Sequence, residues 1–267
     1  MLRMKPSVFI GFVVLFTVSA FAQQDSLPSD NELAAITARG RLLYEYDQAA
    51  WHASDAVMAT HPAQENLGRY IARKKDTGWE VAFGRLNESR DAFLIAALAT
   101  QGKTIQESAV KPFETPQQDT GFYLSAAKGI ENALKVFQGV NRQYNVAVLP
   151  APKNQLYIYL VPAPTDKDLY PLGADVRFLV SADGGIITEK RQLHKGLIPS
   201  GGPIPAGTTV AGGMHSHVLS NVPEDTDVFH VLARKPPIPE YIGTEIAIYE
   251  VNVDGTIKIV QKTKKHR

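Results

Sequence analysis

The spacing of apolar residues divides the chain into helical and extended segments. Between Glu32 and about Met58, apolar residues recur every three or four positions, which predicts a long amphipathic helix with Ser29 or Asp30 as its N-cap. A second helix ends near Gly139 and is marked by Phe122, Leu124, Ile130, Leu134 and Phe137. The acidic residues at the start of the segment from about Glu224 to Ala233 predict a third, short helix.

Runs of alternating or continuous apolar residues predict strands, most of them paired in hairpins. Four hairpins are predicted around polar turns at Asn87–Asp91, Pro150–Asn154, Asp183–Gly185 and Asp254–Gly255. The segment that contains Pro112 and Pro116 predicts a variable loop. Because the strands are clustered and joined mainly by hairpins, we expect an α+β fold with a largely antiparallel sheet.

The N-terminus has the three-part pattern of a secretory signal peptide. Arg3 and Lys5 precede the apolar run 8–18, and the small residues Ala20 and Ala22 follow it. The apolar run is shorter than the roughly 20 residues that span a bilayer, although an uncleaved anchor is the alternative. We therefore expect cleavage after Ala22 and export to the periplasm or the outside of the cell, with no membrane span in the mature protein.

The predicted elements suggest an organisation for the rest of the chain. Residues 23–29 form a polar tether, residues 30–140 a region of helices and a hairpin, and residues 141–267 a β-rich region. No linker clearly separates the last two regions, so they could form one domain.

Composition narrows the classes of function. The 267 residues include 28 basic and 27 acidic ones, a formal net charge of +1, so no strong field attracts nucleic acid. The chain has no cysteine, which excludes disulfides and thiolate ligands. Any metal site must therefore be built from histidine and carboxylate ligands.

Candidate metal ligands lie close together in the β-rich region. His215 and His217 are two residues apart, so on a strand both rings point to the same face. Asp225 or Asp227, at the start of the next helix, could supply a third ligand, and His230 could be a fourth ligand or a hydrogen-bond partner of a ligand. Two histidines, a carboxylate and an open position form a site in which zinc activates water for amide hydrolysis.

Hydrolysis of this kind also needs a proton acceptor near the ion. Glu189, on the strand after the turn at Asp183–Gly185, is the predicted general base. His194 follows the same strand and is a further candidate for the site.

One stretch of the β-rich region carries a family resemblance. The segment His215-Ser216-His217, followed by Pro223-Glu224-Asp225-Thr226-Asp227, resembles the JAB/JAMM (MPN) metallopeptidase superfamily. The motif of that superfamily is a His-x-His pair, a downstream Pro-Ser-x-x-Asp segment and a glutamate on an earlier strand. The resemblance covers at most residues 176–260, and Glu224 stands at the position of the family's serine. It implies that His215, His217 and Asp227 hold zinc and that Glu189 activates water.

Two functions are compatible with these features. One is an exported, zinc-dependent hydrolase that acts on peptides or peptide-like amides. The alternative is a non-catalytic periplasmic binding or assembly module on a related fold, of unknown partner, for which a peptide and an envelope protein are candidates. Nucleic acid is not an expected partner, and the sequence makes no prediction of the oligomeric state.

Overall fold

The computed structural model describes residues 26–61, 67–165, 169–198 and 207–263. The predicted signal peptide and the first residues of the tether lie outside these ranges. The described residues contain the three predicted α-helices, α1 (Asp30–Ala59), α2 (Phe122–Val136) and α3 (Asp225–Ala233). None of the described helices combines the length and the apolar character that a membrane span requires.

The strands form three four-stranded sheets and one small pair. The first sheet contains β1 (Arg69–Lys75), β2 (Gly78–Leu86), β3 (Phe93–Gln101) and β4 (Ser108–Asp119), in that order. The second contains β5 (Tyr144–Pro150), β6 (Leu156–Pro162), β8 (Val176–Val180) and β9 (Ile187–Gln192). The small pair consists of β7 (Leu172–Gly173) and β10 (Leu197–Ile198). The third sheet contains β11 (Gly213–Ser216), β12 (Glu240–Gly243), β13 (Ala247–Val251) and β14 (Ile257–Lys262).

The fold is α+β with mostly antiparallel sheets, as predicted. Each of the four predicted hairpins is an antiparallel pair, namely β2–β3, β5–β6, β8–β9 and β13–β14. Strands β1, β7, β10 and β12 are not predicted from the sequence. The β11–β12 pair is parallel, and α3 lies between these two strands in the sequence.

The loop predicted around Pro112 and Pro116 is wrong, because this segment is strand β4. Strand β4 lies at the edge of the first sheet, where a proline costs no hydrogen bond if its nitrogen faces away from the neighbouring strand. The register with β3 also shifts here: Ala97 pairs with Pro112, whereas Ile95 pairs with Gln117. The prolines therefore mark an irregular edge strand rather than a loop.

Helix α1 contributes to both buried apolar clusters of the protein. Its later residues, from Leu43 to Val57, pack in a cluster with the first two sheets and α2. Its first residues, Leu33 and Ile36, pack with Val228 and Val231 of α3 and with the third sheet. The start of α1 is fixed by a capping box in which Ser29 and Glu32 bond each other's backbone N–H groups. A single long helix thus connects the two clusters.

Helices α1 and α3 approach each other closely at Gly40. A Cβ atom at Gly40 would lie 2.4 Å from Val228 Cβ and 2.6 Å from the Asp225 carbonyl oxygen. The neighbouring Arg39 donates a hydrogen bond to the Asp225 carboxylate at 2.9 Å. This contact fixes the first turn of α3, which carries part of the site described below.

We predict that Gly40→Ala destabilises the protein by about 1–3 kcal/mol, because the added methyl group overpacks the contact between α1 and α3. The loss should appear although alanine favours a helix by about 1 kcal/mol over glycine. Gly129→Ala in α2 is the control, since its Cβ would meet only side chains, the nearest being Val180 Cγ2 at 3.0 Å. Urea unfolding measures both variants, and a Gly40→Ala protein as stable as the wild type would contradict the close contact.

Candidate metal centre

Four buried side chains converge on one point in the structure. These are His194, His215, His217 and Asp227, whose potential ligand atoms all lie within 4.8 Å of one another. The Nε2 atom of His217 is 3.0 Å from that of His194 and 3.1 Å from that of His215. Asp227 Oδ1 is 3.1 Å from both His194 Nε2 and His215 Nε2, and Asp227 Oδ2 is 3.3 Å from His217 Nε2. Together these residues could hold a metal ion.

The spacing of these atoms fits coordination of one ion. Ligands about 2.0–2.1 Å from a tetrahedral zinc ion are separated from one another by about 3.3 Å. The five contacts given above, at 3.0–3.3 Å, are close to that value, and all the potential ligand atoms lie within 4.8 Å of one another.

Strand β11 positions two of the four ligands. His215 and His217 are buried, whereas Met214, which precedes His215, and Ser216, which lies between the two histidines, are exposed. The ladder continues past the end of β11, because the His217 N–H donates to the Gly243 carbonyl at 2.9 Å. The prediction that the two imidazoles point to the same side is therefore confirmed.

The first turn of α3 positions Asp227. Its Oδ2 accepts a hydrogen bond of 2.6 Å from the N–H of Glu224, the N-cap residue of the helix. Asp227 is fully buried, and its carboxylate is thereby held against the three imidazoles. Of the two aspartates predicted as the third ligand, the structure brings Asp227 to the histidines.

His194 reaches the site from the open end of the β8–β9 hairpin. Val176 pairs with Gln192 at this end, and beyond it the Leu193 N–H donates to the Asp175 carbonyl at 3.1 Å. The His194 N–H also donates to Asp175 Oδ1 at 3.1 Å. Counting outward from the predicted turn at Asp183–Gly185 puts Asp175 opposite Leu193, the residue before this histidine. That nearness of a carboxylate is the sequence signal that could have identified His194 as a stronger candidate ligand.

A second set of hydrogen bonds orients the three imidazoles. The Nδ1 atoms of His194 and His215 contact Asp175 Oδ1 at 2.8 Å and Glu240 Oε1 at 2.9 Å. The Nδ1 atom of His217 contacts the Val222 carbonyl oxygen at 2.9 Å. Because these partners only accept, each Nδ1 carries the proton and each Nε2 of a neutral ring presents a lone pair to the centre. Lone pairs and a carboxylate then face one another, an arrangement that requires a cation or extra protons.

The charges of the surrounding residues also distinguish two carboxylates from their neighbours. The other buried carboxylates of this region pair with arginine: Asp225 with Arg39 and Arg177, Glu224 with Arg191, and Glu240 with Arg234. Asp175 and Asp227 form ion pairs only with histidines among the described residues. Two buried negative charges beside neutral imidazoles match the charge of one divalent ion.

Without a metal ion, protons take its place. Burial lowers the pKa of His194, but Asp175 and Asp227 outweigh it and raise the pKa well above the usual value. Burial likewise lowers the pKa of His215, but its hydrogen bonds with Asp227 and Glu240 raise it to about 9. Burial raises the pKa of Asp227, but the charges of His217 and His194 hold it well below the usual range. The site is thus strongly attractive to positive charge.

The two remaining predicted ligands, Asp225 and His230, lie outside this group. The Asp225 carboxylate accepts hydrogen bonds from Arg39 at 2.9 Å, Arg177 at 2.6 Å and Tyr159 at 2.7 Å, so it is already occupied. His230 Nε2 accepts a hydrogen bond of 2.7 Å from Arg234, and burial together with the Arg234 charge lowers its pKa to about 4. His230 is therefore a neutral acceptor for Arg234 rather than a ligand.

The predicted base, Glu189, is not brought into contact with the four ligands. It lies on β9, half-buried, opposite Leu179 and closer to the turn than His194 is. No hydrogen bond or ion pair in the described parts of the chain joins it to the cluster. Glu224 lies closer, beside the helix start: its carboxylate accepts a 2.5 Å hydrogen bond from Arg191, and burial raises its pKa.

A cleft of about 150 Å³ opens beside the centre. Residues 193–198 and residues 216–219 line it. Two of the four candidate ligands, His194 and His217, are among these residues. A molecule bound in the cleft would therefore lie beside the centre, although the His194 and His217 side chains are only 3% and 1% exposed.

Comparisons of the chain with protein families, curated proteins and solved structures find no match. The resemblance to the JAB/JAMM superfamily therefore stays a prediction that rests on the residues named above.

We predict that binding of a divalent ion at pH 7 releases about two protons, because His194 and His215 are protonated in the metal-free state and must lose their Nε2 protons to bind. It follows that affinity rises as the pH increases from 7 towards 9. Titration calorimetry in two buffers of different ionisation enthalpy measures the proton count. The His230→Gln variant should release the same number, since His230 is already neutral; binding with no proton release would contradict the assigned site.

Proposed function

We propose that this protein is an exported, zinc-dependent hydrolase of peptide-like amide bonds. The observation that carries the proposal is the cleft: two of four convergent metal ligands form part of its walls. A buried centre beside an open cleft is what an enzyme needs to act on a molecule from solution. The resemblance of residues 215–227 to the JAB/JAMM motif agrees with this class of reaction.

Zinc is the proposed ion because of the donor set. Three imidazole nitrogens and one carboxylate, with no cysteine in the chain, suit zinc among the common divalent ions. The Nδ1 contacts of the histidines with Asp175, Glu240 and Val222 are of the kind that hold zinc ligands in the correct tautomer.

The reaction adds water across an amide: the carbonyl carbon gains a hydroxyl group, the C–N bond breaks and the amine nitrogen gains a hydrogen. Zinc supplies a Lewis acid that polarises the carbonyl and makes water acidic enough to react near neutral pH. Asp175 and Glu240 keep His194 and His215 oriented. Glu189 and Glu224 are the two carboxylates to test as proton acceptors, the first from the sequence and the second from its nearness to Asp227.

A non-catalytic, metal-stabilised module is the second candidate. It is favoured by the number of protein ligands, because four protein ligands close a tetrahedral site, whereas catalytic zinc usually has three and an open position. In this alternative the ion joins the β8–β9 hairpin, β11 and α3, and the cleft binds an envelope protein. Loss of the His194 side chain separates the two candidate functions. A catalytic site should still bind zinc without it, whereas a structural site should not.

We expect the purified mature protein to contain about one equivalent of zinc and to cleave peptides from an unbiased library, since the four ligands are preformed. His215→Ala and Asp227→Ala should lose both zinc and activity, and His194→Ala should keep zinc at weaker affinity. His61→Asn, an exposed histidine outside the site, is the control and should behave as the wild type. Elemental analysis and mass spectrometry of the peptide products are the measurements.

The outcomes separate the candidates. Zinc bound without peptide cleavage, and lost in His194→Ala, would favour the structural centre. Less than about a tenth of an equivalent of any divalent metal would contradict both. If cleavage occurs, loss of activity with retained zinc in Glu189→Gln or Glu224→Gln identifies the proton acceptor.

A further inference from the structure

Strand β11, which carries His215, has one unpaired edge. Among the described strands, it is the terminal strand of its sheet and pairs with β12 alone. The N–H groups of Gly213 and His217 donate to β12 and its flanks, at 2.9 Å each. Since main-chain groups of successive strand residues point to opposite sides, those of Met214 and Ser216 point to the other edge.

The free edge is open to solvent in the described part of the chain. No described strand pairs with it, and the main-chain groups of Met214 and Ser216 have no hydrogen-bond partner among the described residues. Both residues are exposed. Unpaired N–H and C=O groups in this alternation are complementary to another extended backbone.

The edge adjoins the cleft beside the metal centre. Ser216 lies between the ligands His215 and His217 in the sequence and also belongs to the wall of the cleft. The lining of the cleft also includes β10, which belongs to a different sheet from β11. Because Ser216 belongs both to the free edge and to the lining of the cleft, a chain that extends β11 sideways would lie beside the cleft.

Five of the ten residues that line the cleft have apolar side chains, namely Leu193, Leu197, Ile198, Val218 and Leu219. Of these, Val218 is 62% exposed and Leu219 is 42% exposed. Met214, just before the cleft, is 69% exposed. Apolar side chains exposed together beside a strand edge favour a partner that also presents apolar groups.

We infer that the substrate is an extended polypeptide segment with apolar side chains, which pairs with the free edge of β11 as an added strand. This inference rests on the proposed function and names its substrate class. A helix or a small non-peptide amide does not present alternate N–H and C=O groups to Met214 and Ser216. The enzyme would thus select unfolded segments or flexible termini.

The test uses the full mature protein and a fluorescein-labelled, acetylated and amidated peptide in which valine alternates with threonine. Two further peptides carry N-methyl groups on the odd or on the even residues. Strand pairing uses the N–H groups of every second residue, so we expect one methylated peptide to bind like the parent and the other to bind about fivefold or more weakly. Fluorescence anisotropy measures binding, and mass spectrometry verifies that the peptides remain intact.

Two protein variants test the same edge. Ser216→Pro removes the outward N–H, and it should weaken binding of the parent peptide about fivefold. Ser216→Ala keeps the N–H and removes only the hydroxyl group, so it should bind the parent peptide more tightly than Ser216→Pro does. If Ser216→Pro does not fold or loses its metal, binding of the two methylated peptides to the wild-type protein tests the strand pairing instead.

Equal binding of the two methylated peptides, or no binding of the parent, would overturn the inference. So would a dimer that Ser216→Pro dissociates, because the edge would then pair with a second copy of the chain. Zinc content and cleavage of the peptide library are measured separately. If the protein cleaves peptides but binds the two methylated peptides equally, strand pairing alone is overturned. If it contains no zinc and cleaves no peptide, the proposed function is overturned.

Discussion

Asp175 and Asp227 are buried beside the same imidazole, that of His194, and neither has an arginine or lysine partner in the described structure. Burying two carboxylates in this way costs several kcal/mol per charge unless positive charge accompanies them. The other buried carboxylates of the region each have an arginine. The requirement for positive charge at this one point therefore explains why three histidines face inward and why the pKa values of His194 and His215 are raised.

The same point connects parts of the chain that are distant in sequence. His194 comes from the β8–β9 hairpin, His215 and His217 from β11, and Asp227 from α3. Helix α3 is in turn held by α1 through the close contact at Gly40 and by Arg39, which bonds Asp225. Asp225 and Asp227 are two residues apart on a helix, about 200° around its axis, so one can hold the arginines while the other faces the histidines.

Local patterns in the sequence predict much of this structure. The three helices and four hairpins follow from apolar spacing and turn residues, and the shared face of His215 and His217 follows from the period of a strand. Strand β4 was missed because Pro112 and Pro116 read as loop residues, and only the position at a sheet edge makes them acceptable. His194 was undervalued because its role depends on contacts with residues 23 and 33 positions later, His217 and Asp227. The choice of Asp227 over Asp225 likewise depends on tertiary partners that periodicity does not contain.

The central claim is that His194, His215, His217 and Asp227 bind one divalent ion. Anomalous X-ray diffraction at the zinc edge, on crystals of the mature protein purified without chelator, tests it most directly. The account predicts a single strong peak about 2.0–2.2 Å from the three Nε2 atoms and from an Asp227 carboxylate oxygen. An ordered site with no anomalous peak, or a peak bound by other residues, would contradict it.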